Sequence, residues 1–105
     1  KDATASAAKR VKYLTEQLLD AAKTDAHAIN ASAVDYLHAV GYLCYAYMYV
    51  LIVRVCQGKS GEFYEERLKL AEYFTQRILP KLYAHADMAQ AGSSSIMAFD
   101  DDFFA

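Results

Sequence analysis

The chain has 105 residues, 55% of them hydrophobic and 23% charged, with a formal net charge of −2. That length gives one domain, 1–105, and that composition is globular, not disordered. The mild acidity lacks the basic excess of a nucleic-acid binder, and one Pro with four Gly leaves too few turn residues for a β-sandwich or barrel.

The first predicted helix runs from about Thr4 to Lys23. Ala7, Val11, Leu14, Leu18 and Ala21 recur at spacings of four and three, one stripe of a helix. Lys9, Lys12, Glu16, Asp20 and Lys23 fall on the opposite, solvated side, where Lys12 can pair with Glu16 one turn later. The small residues around Ala3 to Ala8 do not resemble a signal peptide. The chain begins at Lys1, not Met, so an excised or processed piece of a longer polypeptide is expected.

Thr24 and Asp25 can break the chain and recap it through side-chain oxygens. A second helix is expected from about Ala26 to Gln57, with Asn30, Ser32 and Asp35 as alternative N-caps. From Tyr36 to Val53 it has no Asp, Glu, Lys or Arg. Its five tyrosines are spread along the run and are not gathered at the ends as in a membrane belt, so no membrane span is expected. One stripe holds Leu37, Gly41, Cys44, Met48, Leu51 and Val55. A second holds Tyr42, Tyr45, Tyr49 and Ile52, and a third holds Leu43, Ala46, Tyr47 and Val50. A helix apolar all round is expected to be buried on most sides. Two partner helices cover only about two sides of it, leaving a tyrosine-rich remainder to meet another domain or subunit. The small Gly41 and Cys44 let a neighbouring backbone come close.

Gly58 suits the C′ position that ends this helix, and Gly58-Lys59-Ser60-Gly61 is short enough to force an antiparallel turn. Ser60 is the expected N-cap of a third helix, with Glu62, Glu65 and Glu66 against its positive dipole end. Its stripe is Tyr64, Leu68, Ala71, Phe74, Ile78, Leu82 and Ala89, and Gly92 closes it. Pro80 lies inside that pattern. It lacks a backbone donor and clashes with the carbonyl of Gln76, so it kinks the helix or forces it to stop at Leu79 and restart. Beyond Ser93-Ser94-Ser95 a short turn with Ile96, Met97 and Phe99 is expected, then Asp100-Asp101-Asp102 and an aromatic pair, Phe103-Phe104.

Few residues suggest chemistry. Cys44 and Cys56 are twelve positions apart, about 18 Å along one helix, too far for a disulfide. Both read as buried, reduced thiols, which fits a cytoplasmic protein. His27, His38 and His85 form no helical zinc pair, and Asp35 and His38 are one turn apart, a local hydrogen bond at most. Asp100 to Asp102 diverge by about 100° each if helical, unlike a metal loop. No phosphate loop, nucleophile elbow or carboxylate pair is present. The residues therefore offer no catalytic, metal or cofactor ligand.

Phe63-Tyr64-Glu65, Arg67-Leu68, Ala71, Phe74, Arg77-Ile78-Leu79-Pro80, Ala91-Gly92 and Ser95-Ile96-Met97-Ala98 resemble one type of C-terminal domain. It is the acetyl-CoA dehydrogenase C-terminal-like domain of acyl-CoA dehydrogenase-like flavoproteins, including the methylthiopropanoyl-CoA dehydrogenase group. Tyr36-Leu37, Gly41-Tyr42 and Tyr47-Met48 agree, so the resemblance covers about 33–103. It implies a parent whose earlier domains hold FAD and an acyl-CoA thioester. In such parents a glutamate base removes the α-proton while the flavin takes hydride from the β-carbon. None of those parts lies in this chain, so no catalytic residue carries over and no cofactor is expected here.

The expected architecture is all-α, an antiparallel up-down bundle of three long helices plus a short C-terminal helical turn. The expected role is accessory, by packing on the dehydrogenase body or a neighbouring subunit, with Tyr42, Tyr45, Tyr49, Phe103 and Phe104 as the candidate interface in a homo-oligomer. The alternative is a free-standing helical module that self-associates through the tyrosine face. A third reading is a membrane-associated hairpin around Tyr36 to Val53.

Overall fold

The computed structural model describes residues 2–93 and residue 98. Their regular structure is all helical, with no strand among the described residues. Helix α1 spans Asp2–Ala21, α2 Ala28–Cys56, α3 Glu62–Tyr73 and α4 Pro80–Gln90, with a π-helical turn at Phe74–Ile78 between the last two. Helix α3, the π-turn and α4 form one interrupted third rod. The bundle is therefore the expected three-helix one. The expected C-terminal turn around Ile96, Met97 and Phe99 lies outside the described residues.

The stripe expected on α1 is the one that is buried: Ala7, Val11, Leu14 and Leu18 enter the core. They meet Leu79, Leu82, Ala86 and Ala89 from the third rod and Ala39 and Ala46 from α2. The expected Lys12–Glu16 pair is not formed; Asp20 pairs with Lys23, just past α1, at 3.9 Å, and Arg10 pairs with Asp87 of α4 at 2.8 Å. The second bond crosses from α1 to α4. Thr15 donates its hydroxyl to the Val11 carbonyl at 2.9 Å. Its only hydrogen is thus used, so the Tyr36 hydroxyl is the donor in the 2.7 Å bond between Tyr36 and Thr15.

The turns follow the glycines. Gly58, with φ of +78°, sits just past the α2 C-cap Gln57 as expected, and Gly92, with φ of +82°, stands just past the α4 C-cap Ala91. These left-handed conformations exclude most side chains. Ser60 does not cap α3. The N-cap is Gly61, without a side-chain bond, and α3 opens with the Glu65 N–H donating to the Gly61 carbonyl at 3.1 Å. Glu62 and Glu65 remain in the first turn, as expected.

Two further expectations are corrected. The third rod is not one kinked α-helix: it takes the other expected form and restarts at Pro80, but with a π-turn before the break. Its buried stripe passes from Phe74 to Leu79, skipping Ile78, which is half-buried. A π-turn adds about one residue to a turn, so the residue five positions on, not four, returns to the same face. Helix α2 is not buried on most sides either. The described body measures 62 × 31 × 14 Å. Helices pack about 8–10 Å apart, so a body 14 Å thin cannot enclose one of them. Only Ala28, Ser32, Ala39, Ala46 and Cys56 of α2 are buried.

Candidate interaction surface

Helix α2 carries two apolar seams on opposite faces. Ser32, Ala39 and Ala46, seven residues apart, are buried against the bundle, and Tyr36 and Leu43 between them pack on the core. This spacing of four and three is that of a helix–helix seam. Two positions further round, about 200° away, Val34, Leu37, Gly41, Cys44, Met48, Leu51 and Val55 repeat the same spacing. Among the described residues little covers this second seam: Leu37 is 69% exposed, Val34 66%, Val55 58% and Met48 54%, while Gly41 and Leu51 are half-buried. Isolated exposed apolar residues are ordinary, whereas several along one helix face form a patch.

Shallow grooves flank the seam at its two ends. One, of about 490 Å³, lies between α1 and α2 and is walled by Leu18, Leu19, Ile29, Leu37 and Val40. The other, of about 300 Å³, lies between α2 and α3 and is walled by Met48, Leu51, Val55, Phe63 and Arg67. In the second, the Arg67 guanidinium sits 4.3 Å from the Phe63 ring centroid, which keeps an exposed aromatic at the rim beneath a cation.

The candidate tyrosines are divided. Tyr42 and Tyr49 are half-buried and pack on the core. Tyr49 stacks on Phe74 with centroids 4.8 Å apart, and Tyr42 stacks on His85 at 5.8 Å. Tyr45 meets Phe74 edge-on at 6.5 Å yet is largely exposed. Phe103 and Phe104 lie outside the described residues. Cys44, expected to be buried, is exposed because it belongs to the uncovered seam; Cys56 is buried, and both thiols are free.

Asp35 does not bond His38. Its Oδ1 accepts from Nδ1 of His85, across the α2–α4 interface, at 2.9 Å, while the His38 ring stacks on His85 at 4.8 Å. The partner was hidden from the sequence because it is fifty residues away. At the α1–α2 turn, the Ser93 hydroxyl donates to Oδ2 of Asp25 at 2.6 Å and the His27 N–H donates to Oδ1 at 2.9 Å. The Ser93 bond, then the His27 bond, holds the Asp25 carboxyl below its ordinary value. Both arrangements fasten α4 to the rest of the bundle. No cluster of three His, Cys, Asp or Glu occurs among the described residues.

The profile of the family described as "Acetyl-CoA dehydrogenase C-terminal like" matches residues 1–100. The chain belongs to that family. No curated protein and no solved structure matches it. The family match takes in all of α1, which the sequence resemblance did not. For this acetyl-CoA dehydrogenase C-terminal-like domain, the feature that needs an explanation is the outer face of α2. By length and composition that helix could also cross a membrane, since only 17% of its most apolar window is buried in the chain.

Proposed function

We propose that this domain is the accessory C-terminal part of an FAD-dependent acyl-CoA dehydrogenase-like enzyme, of the methylthiopropanoyl-CoA dehydrogenase group, working in the cytoplasm. Its task is to pack on the catalytic body or on a neighbouring subunit. The observation that carries this reading is the largely exposed seam from Val34 to Val55, in a domain of the acetyl-CoA dehydrogenase C-terminal-like family. A second layer over that face completes the two-layer packing that domains need.

The groove between α1 and α2 is a poor fit for a flavin. A dinucleotide needs backbone or cationic donors for its pyrophosphate. The larger groove has instead an almost wholly apolar wall, and its Thr15 and Tyr36 hydroxyls are already bonded to each other. The chemistry of the parent, if it follows the family, is performed by other domains, and this chain contributes contact area.

The test uses the enzyme that carries this domain. A Leu37→Glu, Met48→Glu double variant places two charges on the uncovered face, at positions that the domain itself leaves exposed. Flavin absorbance of the catalytic body is expected to persist, while the assembly loosens or loses subunits in light scattering. An assembly of unchanged mass and thermal stability would defeat the proposal.

A further inference from the structure

The outer seam of α2 is self-complementary, and we infer that it pairs antiparallel with α2 of a second copy of this chain. The inference rests on the accessory reading above and names the surface that covers the seam. Its regular spacing of three and four is what a helix requires of a partner helix; an irregular surface imposes no such period. The occupant is therefore a helix lying along α2.

The order of sizes along the seam points to a second α2. Place a two-fold axis between Tyr42 and Leu43, with the two helices antiparallel. Gly41 then faces Cys44 of the second copy, Leu37 faces Met48, and Val34 faces Leu51; Val55, opposite Asn30, lies beyond the self-complementary part. The smallest residues share the central layers, and the large ones share the outer layers. An isologous interface has this property: one patch serves both sides. The only charged residues of α2 are Asp35 and Arg54, and neither belongs to the seam, so no like charges meet along it.

Gly41 supplies a second, independent observation. A glycine within an exposed helix costs about 0.5–1 kcal/mol relative to alanine. Nothing among the described residues requires it, since a Cβ built on Gly41 meets none of their atoms within 4 Å. Its place at the centre of the self-paired seam supplies the reason, because it lets the two backbones approach. Two Cys44 residues then lie about 4.5 Å apart along the axis, from the ~1.5 Å rise per residue, on facing helices. Tyr47, also largely exposed, comes beside Val40 at the mouth of the α1–α2 groove.

The test is made on this chain in solution. Molar mass is measured by light scattering over a dilution series, and Cys44 is oxidised with copper–phenanthroline. A dimer that cross-links through Cys44, with Cys44→Ser abolishing the bond and Cys56→Ser leaving it, is the expected result. A Leu37→Cys, Met48→Cys, Cys44→Ser variant is expected to cross-link between unlike positions, which parallel pairing forbids. Gly41→Leu, which favours the helix itself, is expected to lower dimer affinity at least tenfold at unchanged circular dichroism. A monomer at every concentration that binds the separately expressed dehydrogenase body overturns self-pairing and leaves the accessory role standing. A monomer that binds neither overturns both. Flotation with phosphatidylcholine–phosphatidylglycerol vesicles in preference to dimerising overturns the inference in favour of a lipid surface.

Discussion

Leu79 donates its backbone N–H to the carbonyl of Phe74, five residues earlier, at 2.8 Å. This bond widens the helix by one residue just before Pro80, which has no N–H to give. Thr75 uses its hydroxyl to bond the Ala71 carbonyl at 2.9 Å, and Pro80 then occupies the favoured first position of α4. The widened turn brings both Phe74 and Leu79 to the core, where an unbroken α-helix would have presented Ile78.

The π-turn makes a prediction that reverses the one drawn from periodicity. Leu79→Ala removes a buried side chain and should cost about 2–5 kcal/mol. Ile78→Ala, at a half-buried position, should cost clearly less. Urea denaturation of the two variants decides between the registers, and equal losses would argue for a regular helix through this segment.

Tyr49 and Phe74 form the stacked contact that joins α2 to the π-turn. A double-mutant cycle with Tyr49→Leu and Phe74→Leu should return a coupling of about 0.5–1.5 kcal/mol. A coupling near zero would mean that the rings contribute through burial alone.

Tyr36 and Thr15 link α2 to α1 inside an apolar wall. Tyr36→Phe keeps the ring and removes the donor, so the loss should be about 0.5–1.5 kcal/mol, that of one hydrogen bond. Thr15→Val removes the acceptor and leaves the tyrosine hydroxyl to find water or go unpaired. It should cost at least as much in thermal or chemical denaturation.

The Asp25 carboxyl has a direct pH consequence. Its ordinary value is 3.8, and the hydroxyl of Ser93 followed by the His27 N–H lower it in the folded chain. The lowered value means that its contribution to stability is present above the unfolded value and is lost as pH falls through the folded one. Ser93→Ala should raise the Asp25 value toward 3.8, read by carboxyl NMR titration, and weaken the hold of the α4 end on the α1–α2 turn. A titration curve unmoved by the substitution would remove Ser93 as the cause.

Much of the fold was legible because helical periodicity is local. The α1 stripe from Ala7 to Leu18, the glycine stops at Gly58 and Gly92, and the break near Pro80 could all be read from neighbours in sequence. What was hidden depended on tertiary context. Periodicity assigned the core to Ile78 because it assumes 3.6 residues per turn throughout, and Asp35 was matched to His38 because His85 is distant in sequence. Composition alone could not say which side of α2 would be covered. Its two seams are equally regular, and only the placement of α1 and the third rod buries Ala39 and Ala46 while exposing Leu37 and Met48. Ser60 failed as a cap because Gly61 takes that position with φ of +119°, a conformation unfavourable for serine.

The surface was legible in part. The stripe with Gly41 and Cys44 reads from the sequence as a place for close approach, and Tyr42, Tyr45 and Tyr49 read as the uncovered side. Tyr42 and Tyr49 pack within the chain, and the aliphatic stripe is the face left open.

The central claim is that the outer face of α2 is covered when the protein is assembled. Hydrogen–deuterium exchange does not report it well, since helix amides are protected either way. Side-chain labelling does. Carbene footprinting of the enzyme that carries this domain, compared with its Leu37→Glu, Met48→Glu variant, reads modification at Val34, Leu37, Met48 and Val55 directly. The account predicts low labelling of these residues in the intact assembly and a several-fold rise in the variant at the unsubstituted positions, Val34 and Val55. High labelling of the whole seam in the intact assembly would contradict it.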